Sequence, residues 1–208
     1  MSVPSPQAYI THLSKDKVLR TALKGQAPLT LEKHNNVCAR LCVSIMGQQL
    51  STHVAKVLKE RFIALFSGMI PAPRVIMQVP AETLRSIGLS GAKVSYVHNV
   101  AAYFLEYSLT DRKLHRMSAE DVMTTLLPIK GVGRWTVEML LMFTLGREDV
   151  FAPDDLGIQQ AMTRLYGLDA ANKKALTIEM TRLADAWRPY RTYACMHLWR
   201  WKDNPERY

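Results

Sequence analysis

The sequence predicts an all-α protein. Apolar residues recur at helical spacing in one segment after another, serine, proline and glycine mark the ends of these segments, and no stretch of strand length alternates polar and apolar residues. Apolar residues make up 48% of the 208 residues and charged residues 22%, which is typical of a soluble globular protein with a sizeable core.

The predicted helices follow one another with short connections and no linker. Ser5 is the predicted cap of the first helix, with Pro6 at its first position, and Ser118 with Asp121 resembles a capping box. The segments with helical periodicity are SPQAYITHLSKD, KHNNVCARLCVSIMGQQL, STHVAKVLKERFIALFSG, PAETLRSIG, SGAKVSYVHNVAAYFLEY, SAEDVMTTLLPI, RWTVEMLLMFTLG, DDLGIQQAMTRLYG, DAANKKALTIEMTRLADAW and YRTYACMHLWRW.

The formal net charge of +9 favours a polyanionic partner, nucleic acid before a membrane surface. No basic run carries the excess charge, so a basic surface has to be assembled by folding. The sequence contains no run of about 18 apolar residues, which is the length needed to span a membrane. The N-terminus lacks the pattern of a signal peptide. We therefore expect an intracellular protein that is not secreted.

The segment IKGVGRWTVEM, residues 129–139, interrupts the helical pattern with two glycines. A helix that ends near Ile129 and a second helix that starts near Gly133 leave only Lys130, Gly131 and Val132 to turn the chain. Glycine leaves backbone N–H groups uncovered, and the first N–H groups of a helix have no partner within it. The spacing fits both a tight connection between packed helices and an anion site for phosphate, and the positive net charge favours phosphate.

Two further segments carry polar residues at the start of predicted helices. Asp154 and Asp155 follow Pro153, and one of them can cap the next helix, which leaves the second to project toward solvent or a cleft. Gln48 and Gln49 lie where one predicted helix ends and another begins, a position where amides often act as caps or stay solvated. Capping alone would explain each of these residues, so a functional interpretation needs more than spacing.

The pattern I-x-G-V-G-x-W-T, followed by an acidic pair at this distance, resembles the helix-hairpin-helix DNA glycosylase superfamily, most closely its 3-methyladenine DNA glycosylase II branch. The resemblance runs from about Val37 to Trp201. It implies two compact helical subdomains with a DNA-binding cleft between them. In that family the hairpin holds the DNA backbone through main-chain N–H groups, often with a monovalent cation, and a flipped base enters the cleft.

We assign boundaries to the two subdomains that the resemblance implies. We expect a single domain over 1–208, in which residues 30–137 form one helical bundle with the hairpin at 129–134. Residues 1–29 together with 138–208 would form the second subdomain.

The resemblance also assigns roles to single residues. Asp155 aligns with the catalytic aspartate, which stabilises positive charge on the sugar, and Asp154 aligns with the acid beside it. Trp135 and Trp199 align with tryptophans of the base pocket, where aromatic rings attract a cationic purine. Gln49, next to Gln48, aligns with the side chain that fills the space left by the flipped base. The implied contacts to the DNA backbone are Lys130, Gly131, Val132, Gly133, Arg134 and Thr136 in the hairpin, and Ser90, Gly91 and Lys93 in the segment GLSGAKVSY.

The implied activity is hydrolysis of the N-glycosidic bond of alkylated purines, such as 3-methyladenine and 7-methylguanine, by a monomer acting on double-stranded DNA in base excision repair. Bifunctional relatives place a lysine where this chain has Trp135, so we expect no lyase activity. Cys195 alone cannot supply the four closely spaced cysteines of an iron–sulfur cluster, and the six scattered histidines predict no metal site made by side chains.

Two alternatives stay open. The first is a non-catalytic helix-hairpin-helix module that only binds DNA, against which the acidic pair argues. The second is a glycosylase of the same fold for a deaminated or oxidised base, because the shape of the pocket decides the substrate. The compartment is the cytoplasm if the protein is bacterial and the nucleus if it is eukaryotic.

Overall fold

The computed structural model describes residues 6–203, and all regular structure in that range is helical, as predicted. Ser5, the predicted first cap, lies outside the described residues. No helix within 6–203 is long and apolar enough to cross a membrane. The helices are α1 (Pro6–Leu13), α2 (Leu19–Leu23), α3 (Val37–Gly47), α4 (Thr52–Ala64), α5 (Pro73–Met77), α6 (Ala81–Ser86), α7 (Gly91–Glu106), α8 (Asp111–Arg116), α9 (Ala119–Leu126), α10 (Arg134–Phe143), α11 (Leu156–Tyr166), α12 (Lys173–Ala184) and α13 (Arg191–Asp203), with a 3-10 turn at Asp185–Trp187.

These helices form two compact units. The hairpin unit is Glu32–Gly146, and the terminal unit comprises the described residues of Met1–Leu31 and Arg147–Tyr208. The second boundary therefore falls at Gly146 rather than at residue 137. The reason is that position 137 lies inside α10, whose apolar face packs on α3 and stays with the hairpin unit as one piece.

The core of the hairpin unit is built around α7, which packs against α3 and α5. Val97 and Val100 of α7 and Leu41 and Ile45 of α3 are fully buried. Their spacing of three to four residues places each pair on one helix face, which is why the periodicity of the sequence predicted these helices.

Caps define several helix ends. Ser118 and Asp121 form the predicted capping box of α9, with the Ser118 hydroxyl accepting from the N–H of Asp121 at 3.0 Å. The start of α3 is capped from a distance, because the carboxylate of Asp111 accepts from the N–H groups of Asn36 and Val37 at 2.6 and 2.9 Å. Side-chain caps of this kind contribute about 1 kcal/mol each.

In the terminal unit, Asp16 ties three elements together. Its Oδ1 accepts from the N–H groups of Val18 and Leu19, and its Oδ2 accepts from the indole of Trp187 at 2.9 Å and the hydroxyl of Tyr166 at 2.7 Å. Burial raises the pKa of Asp16, but these four hydrogen bonds together lower it by more. The pKa of Asp16 therefore lies below its ordinary value.

His197 of α13 is a satisfied core residue rather than part of an open pocket. Its Nδ1 lies 2.8 Å from Oε1 of Gln26, and its Nε2 lies 3.3 Å from the hydroxyl of Tyr9. The amide nitrogen of Gln26 donates to two carbonyl groups, which leaves Oε1 as the acceptor and places the histidine proton on Nδ1. Burial, and then the charge of Arg200, lower the pKa of His197 to about 4.

Candidate functional site

The hairpin joins α9 to α10 through residues 127–133. The first helix ends at Leu126, three residues earlier than predicted, and the second begins at Arg134, so seven residues rather than three turn the chain. The N–H of Val132 donates to the carbonyl of Ile129 at 2.9 Å and closes the turn. Both of these apolar side chains are buried and anchor the turn in the core of the hairpin unit.

The two glycines of the hairpin have different roles. Gly131 has a φ of +102°, and a Cβ on it would lie 2.7 Å from the Cβ of Tyr96, so both the backbone and the packing of α7 require glycine there. Gly133 has an ordinary φ of −96°, it is exposed, and nothing lies within 4 Å of a Cβ built on it. Gly133 therefore leaves open space beside the N-terminus of α10.

This N-terminus has the features of an anion site. Gly133 is the N-cap of α10 and supplies no side-chain acceptor, and the first turn of the helix contains no acidic residue. The first N–H groups of an α-helix have no carbonyl partner in a preceding turn, and the helix dipole is positive at this end. Exposure of this end lets an approaching phosphate reach these groups.

The two cations of the hairpin differ in their surroundings. Lys130 is exposed, and its carbonyl accepts from the amide of Asn99 at 3.3 Å. Arg134 donates its Nε to Oε1 of Glu138 at 2.9 Å, and the carboxylate of Glu138 is 1% exposed while the side chain of Arg134 is 62% exposed. Arg134 thus neutralises a buried acid with one edge of its guanidinium group and faces solvent with the rest.

The side chains of Gln48 and Thr136 are engaged within the protein. The side-chain amide of Gln48 donates to the hydroxyl of Thr136 at 2.9 Å and to the carbonyl of Gly131 at 3.3 Å. Thr136 is 1% exposed, so its side chain cannot reach DNA. Both residues hold the hairpin against α3, a contact between segments far apart in sequence that spacing could not indicate.

Lys93 is likewise engaged within the protein. Its Nζ donates to the carbonyls of Met46 and Gln48, both at 2.8 Å, at the C-terminal end of α3. Burial lowers the pKa of Lys93 from its ordinary value. Ser90 is the N-cap of α7, and no atom lies within 4 Å of a Cβ built on Gly91. Lys93 therefore caps the C-terminal end of α3, and Ser90 and Gly91 lie at an exposed helix start. The phosphate contacts predicted for these three residues stay predictions.

Gln49 follows this engaged segment and is exposed. Its φ is +59°, a left-handed conformation that is uncommon for a residue other than glycine, asparagine or aspartate. Leu50 beside it is 40% exposed. The turn between α3 and α4 thus presents two large side chains to solvent on a backbone of unusual conformation.

In the terminal unit, Asp155 is the N-cap of α11. Its Oδ1 accepts from the N–H of Ile158 at 2.9 Å and from the indole N–H of Trp199 at 2.8 Å. Gly157 permits this approach, because a Cβ on it would lie 2.9 Å from Cδ1 of Trp199. Two donors on one oxygen hold the carboxylate in a single orientation, and the second donor comes from α13, more than forty residues away in the sequence.

The cap of α11 and the predicted catalytic acid are therefore the same residue. Asp154, the other member of the pair, is exposed and precedes the cap in a turn. Trp135, predicted for the base pocket, lies in the first turn of α10 in the hairpin unit and is 36% exposed. The structure thus places Asp154, Asp155 and Trp199 together in the terminal unit, and Trp135 with the hairpin residues.

Sequence reasoning missed Gly157, Tyr96 and Asn99. Gly157 could have been noticed as a glycine in the first turn of a helix, where alanine is the better helix former and close approach of another side chain is the usual reason for glycine. Tyr96 and Asn99 lie one helical turn apart on α7 and contact the hairpin, but their spacing alone carries no such signal.

Two other features of the described residues lie apart from these clusters. Residues 6–203 contain no group of three or more His, Cys, Asp or Glu side chains that could hold a metal ion.

An apolar groove in the hairpin unit lies between α3, α4 and α10 and is lined by Val43, Ile63, Met139 and Phe143 among others. None of the predicted site residues lines this groove.

Comparison with known proteins adds an independent line of evidence. A family model described as HhH-GPD superfamily base excision DNA repair protein matches residues 42–189. The Bacillus subtilis putative DNA-3-methyladenine glycosylase YfjP is 34% identical over 83% of this chain and 61% of its own length. The Schizosaccharomyces pombe alkylbase DNA glycosidase-like protein mag2 is 33% identical over 90% of each protein. The chain thus spans less than two thirds of the first relative and nine tenths of the second.

A solved structure shows the same similarity. The S. pombe 3-methyladenine DNA glycosylase Mag1, determined in complex with abasic DNA, superposes with a TM-score of 0.82. The alignment covers 94% of this chain and 97% of that one, at 28% sequence identity. The helical fold therefore extends along almost the whole length of both proteins.

Proposed function

Because this chain belongs to the HhH-GPD superfamily of base excision DNA repair proteins, we propose that it is a DNA glycosylase that hydrolyses the N-glycosidic bond of alkylated purines in double-stranded DNA. The observation that carries this proposal is the carboxylate of Asp155, held by the N–H of Ile158 and the indole of Trp199. In a protein that binds DNA but catalyses no reaction, Asp155 would need only the bond from the N–H of Ile158, which caps α11.

Asp155 acts on the sugar. Departure of the base leaves positive, oxocarbenium-like charge on the deoxyribose, and a carboxylate in a fixed orientation stabilises that charge without having to reorganise. Purines such as 3-methyladenine and 7-methylguanine already carry positive charge, so they leave without prior protonation. Asp154 is solvent-exposed and adds negative charge near the reacting sugar.

The tryptophans act on the base. An indole face attracts a cationic purine by about 0.5–2 kcal/mol, and a neutral purine lacks this attraction. Trp135 is exposed enough to contact an extruded base, while Trp199 contributes both its ring and the hydrogen bond that orients Asp155. Trp135 also has no amine with which to form a Schiff base, so the product is an abasic site in an uncut strand.

The hairpin holds the DNA backbone. The open N–H groups at the start of α10 and the exposed cations Lys130 and Arg134 bind phosphates, and the open start of α7 at Ser90 and Gly91 provides a second contact. Gln49 fills the space left by the extruded base. A net charge of +9 supports association with DNA through release of counterions.

A monovalent cation fits the hairpin by the chemistry of its donors. The carbonyls of Ile129 and Gly131 each accept one hydrogen bond within the protein, which leaves one lone pair on each oxygen. Such carbonyl oxygens would hold a monovalent cation, whose charge would attract the DNA phosphates. No other cofactor is part of the proposal, and the protein would act as a monomer where DNA is kept, in a bacterial cytoplasm or a eukaryotic nucleus.

The deciding experiment measures base release from methylated duplex DNA. Asp155→Asn keeps an oxygen for Ile158 and Trp199 but removes the charge, so we expect intact folding and DNA binding with loss of release. Asp154→Asn makes the same change of charge one residue away and should retain most of the release. Binding without release by the unmodified protein would favour the non-catalytic module, and release only from DNA with deaminated or oxidised bases would favour a glycosylase for neutral lesions.

A further inference from the structure

A chain of hydrogen bonds links the turn that carries Gln49 to the hairpin. Lys93 donates to the carbonyls of Met46 and Gln48, and the amide of Gln48 donates to Thr136 and to the carbonyl of Gly131. We call the two donor residues, Lys93 and Gln48, the brace. Gln48 is consequently held at its backbone by α7 and at its side chain by α10.

The residue after the brace adopts a strained conformation. Gln49 has a φ of +59°, which brings the Cβ of an L-residue close to a carbonyl oxygen of the backbone. Such a conformation persists where the surrounding structure determines it, and it clusters at functional sites. Here the surrounding structure is Gln48, fixed by three hydrogen bonds immediately before the strained residue.

The chemistry of Lys93 suits an internal role. The last carbonyls of a helix lack partners within it, and the helix dipole is negative at that end. An ammonium group with three donors satisfies two of these carbonyls at once, which a neutral side chain with a single donor would not do. A lysine that bound phosphate would instead keep its amine free to reach the DNA backbone.

We propose that Lys93 and Gln48 are positioning residues, which hold Gln49 pointing outward and link it to the hairpin, so that insertion into the DNA and binding of the backbone occur in one fixed geometry. This inference rests on the proposed function in requiring that the protein bind duplex DNA and that Gln49 enter the helix stack. It does not require that any base be released.

The test uses a duplex with 2-aminopurine beside a tetrahydrofuran abasic-site analogue, because 2-aminopurine becomes fluorescent when it is unstacked. Lys93→Met should reduce the fluorescence rise at saturating protein by about threefold or more, as should Gln49→Ala. The slope of log binding constant against log salt should not change in Lys93→Met. The matched control is Lys130→Met, which removes an exposed cation and should lower the steepness of that slope by about 1 with the fluorescence rise intact.

Two results would overturn the proposal. A drop of about 1 in the salt slope of Lys93→Met would make Lys93 a phosphate contact. An unchanged fluorescence rise would show that the brace does not act through Gln49. The double variant Lys93→Met with Gln49→Ala should lose no more fluorescence than Gln49→Ala alone, because the two changes act through the same side chain.

Folding and catalysis are scored separately. Lys93→Arg keeps the charge and the donors and should restore most of the fluorescence rise. If thermal melting shows that Lys93→Met is unfolded, Gln48→Met decides, because it removes only the bonds to Thr136 and Gly131 and retains the volume of the side chain. Absence of base release from methylated DNA by the unmodified protein would refute the proposed glycosylase and leave both readouts of the brace valid.

Discussion

Trp199 donates its indole N–H to the Oδ1 of Asp155 at 2.8 Å, so a tryptophan of the last helix orients a carboxylate at the start of α11. Gly157 makes room for this contact. The same oxygen accepts from the N–H of Ile158, a local capping bond, so it is the bond from Trp199 that makes the orientation of the carboxylate depend on the folded terminal unit.

Replacing Gly157 by alanine should displace Trp199 and weaken its bond to Asp155. The new Cβ would lie 2.9 Å from Cδ1 of the indole and 3.1 Å from Oδ1 of the carboxylate. We expect the rate of base release to fall by about tenfold or more, because catalytic groups must be held within a fraction of an ångström. Trp199→Phe, which removes the donor, should reproduce the loss, and DNA affinity should stay within a few-fold in both variants. A Gly157→Ala enzyme with full activity would contradict this account of Trp199.

The hairpin glycines should respond differently to alanine. Gly131→Ala introduces a side chain at a φ of +102° and against Tyr96, so we expect the free energy of unfolding to fall by about 2 kcal/mol or more. Gly133→Ala meets no atom within 4 Å and should fold normally, but its methyl group should reduce DNA affinity by covering the N–H groups of α10. Urea unfolding and DNA titration of both variants test this, and unchanged affinity in Gly133→Ala would argue against phosphate binding there.

Lys130 and Arg134 should differ in stability although either change removes one positive charge. Arg134→Met takes a partner from the buried carboxylate of Glu138, which should cost about 1–3 kcal/mol of unfolding free energy. Lys130→Met removes an exposed cation and should leave stability within about 0.5 kcal/mol of the unmodified protein. Both should weaken DNA binding and its salt dependence. Equal stabilities would show that the Arg134–Glu138 pair contributes nothing to the fold.

His197 should make the protein less stable as the pH falls from about 6.5 to about 4. Its pKa is about 4 in the folded protein, because burial disfavours the charged ring, and about 6.5 in the unfolded chain. Unfolding therefore takes up a proton in this window, and stability that is present above pH 6.5 is lost by about 3 kcal/mol on the way to pH 4. His197→Gln should flatten the dependence of unfolding free energy on pH. A slope that His197→Gln leaves unchanged would assign the effect to other groups.

The sequence by itself determined the helical class and most of the helices. Apolar residues three and four positions apart on α3 and α7 can only be buried together on helices, and the capping box of Ser118 and Asp121 depends on neighbours along the chain. The short helices α2, α5 and α8 escaped prediction, because five or six residues carry too little periodicity; α6 is equally short but is marked by Pro80 and Gly88 on either side. The hairpin and the acidic pair could be recognised as motifs because the residues of each are contiguous in the sequence.

Tertiary structure decided which side chains of those motifs remain available. The hydrogen bonds of Lys93 and Gln48 within the protein could not be predicted from the sequence, because they form only where α7, α3 and the hairpin meet. The second donor to Asp155, the indole N–H of Trp199, reaches the carboxylate because α13 packs on α11 and Gly157 leaves space for the ring. The physical reason is that a polar group buried between distant segments must find a partner there, and the sequence does not state which segments will meet.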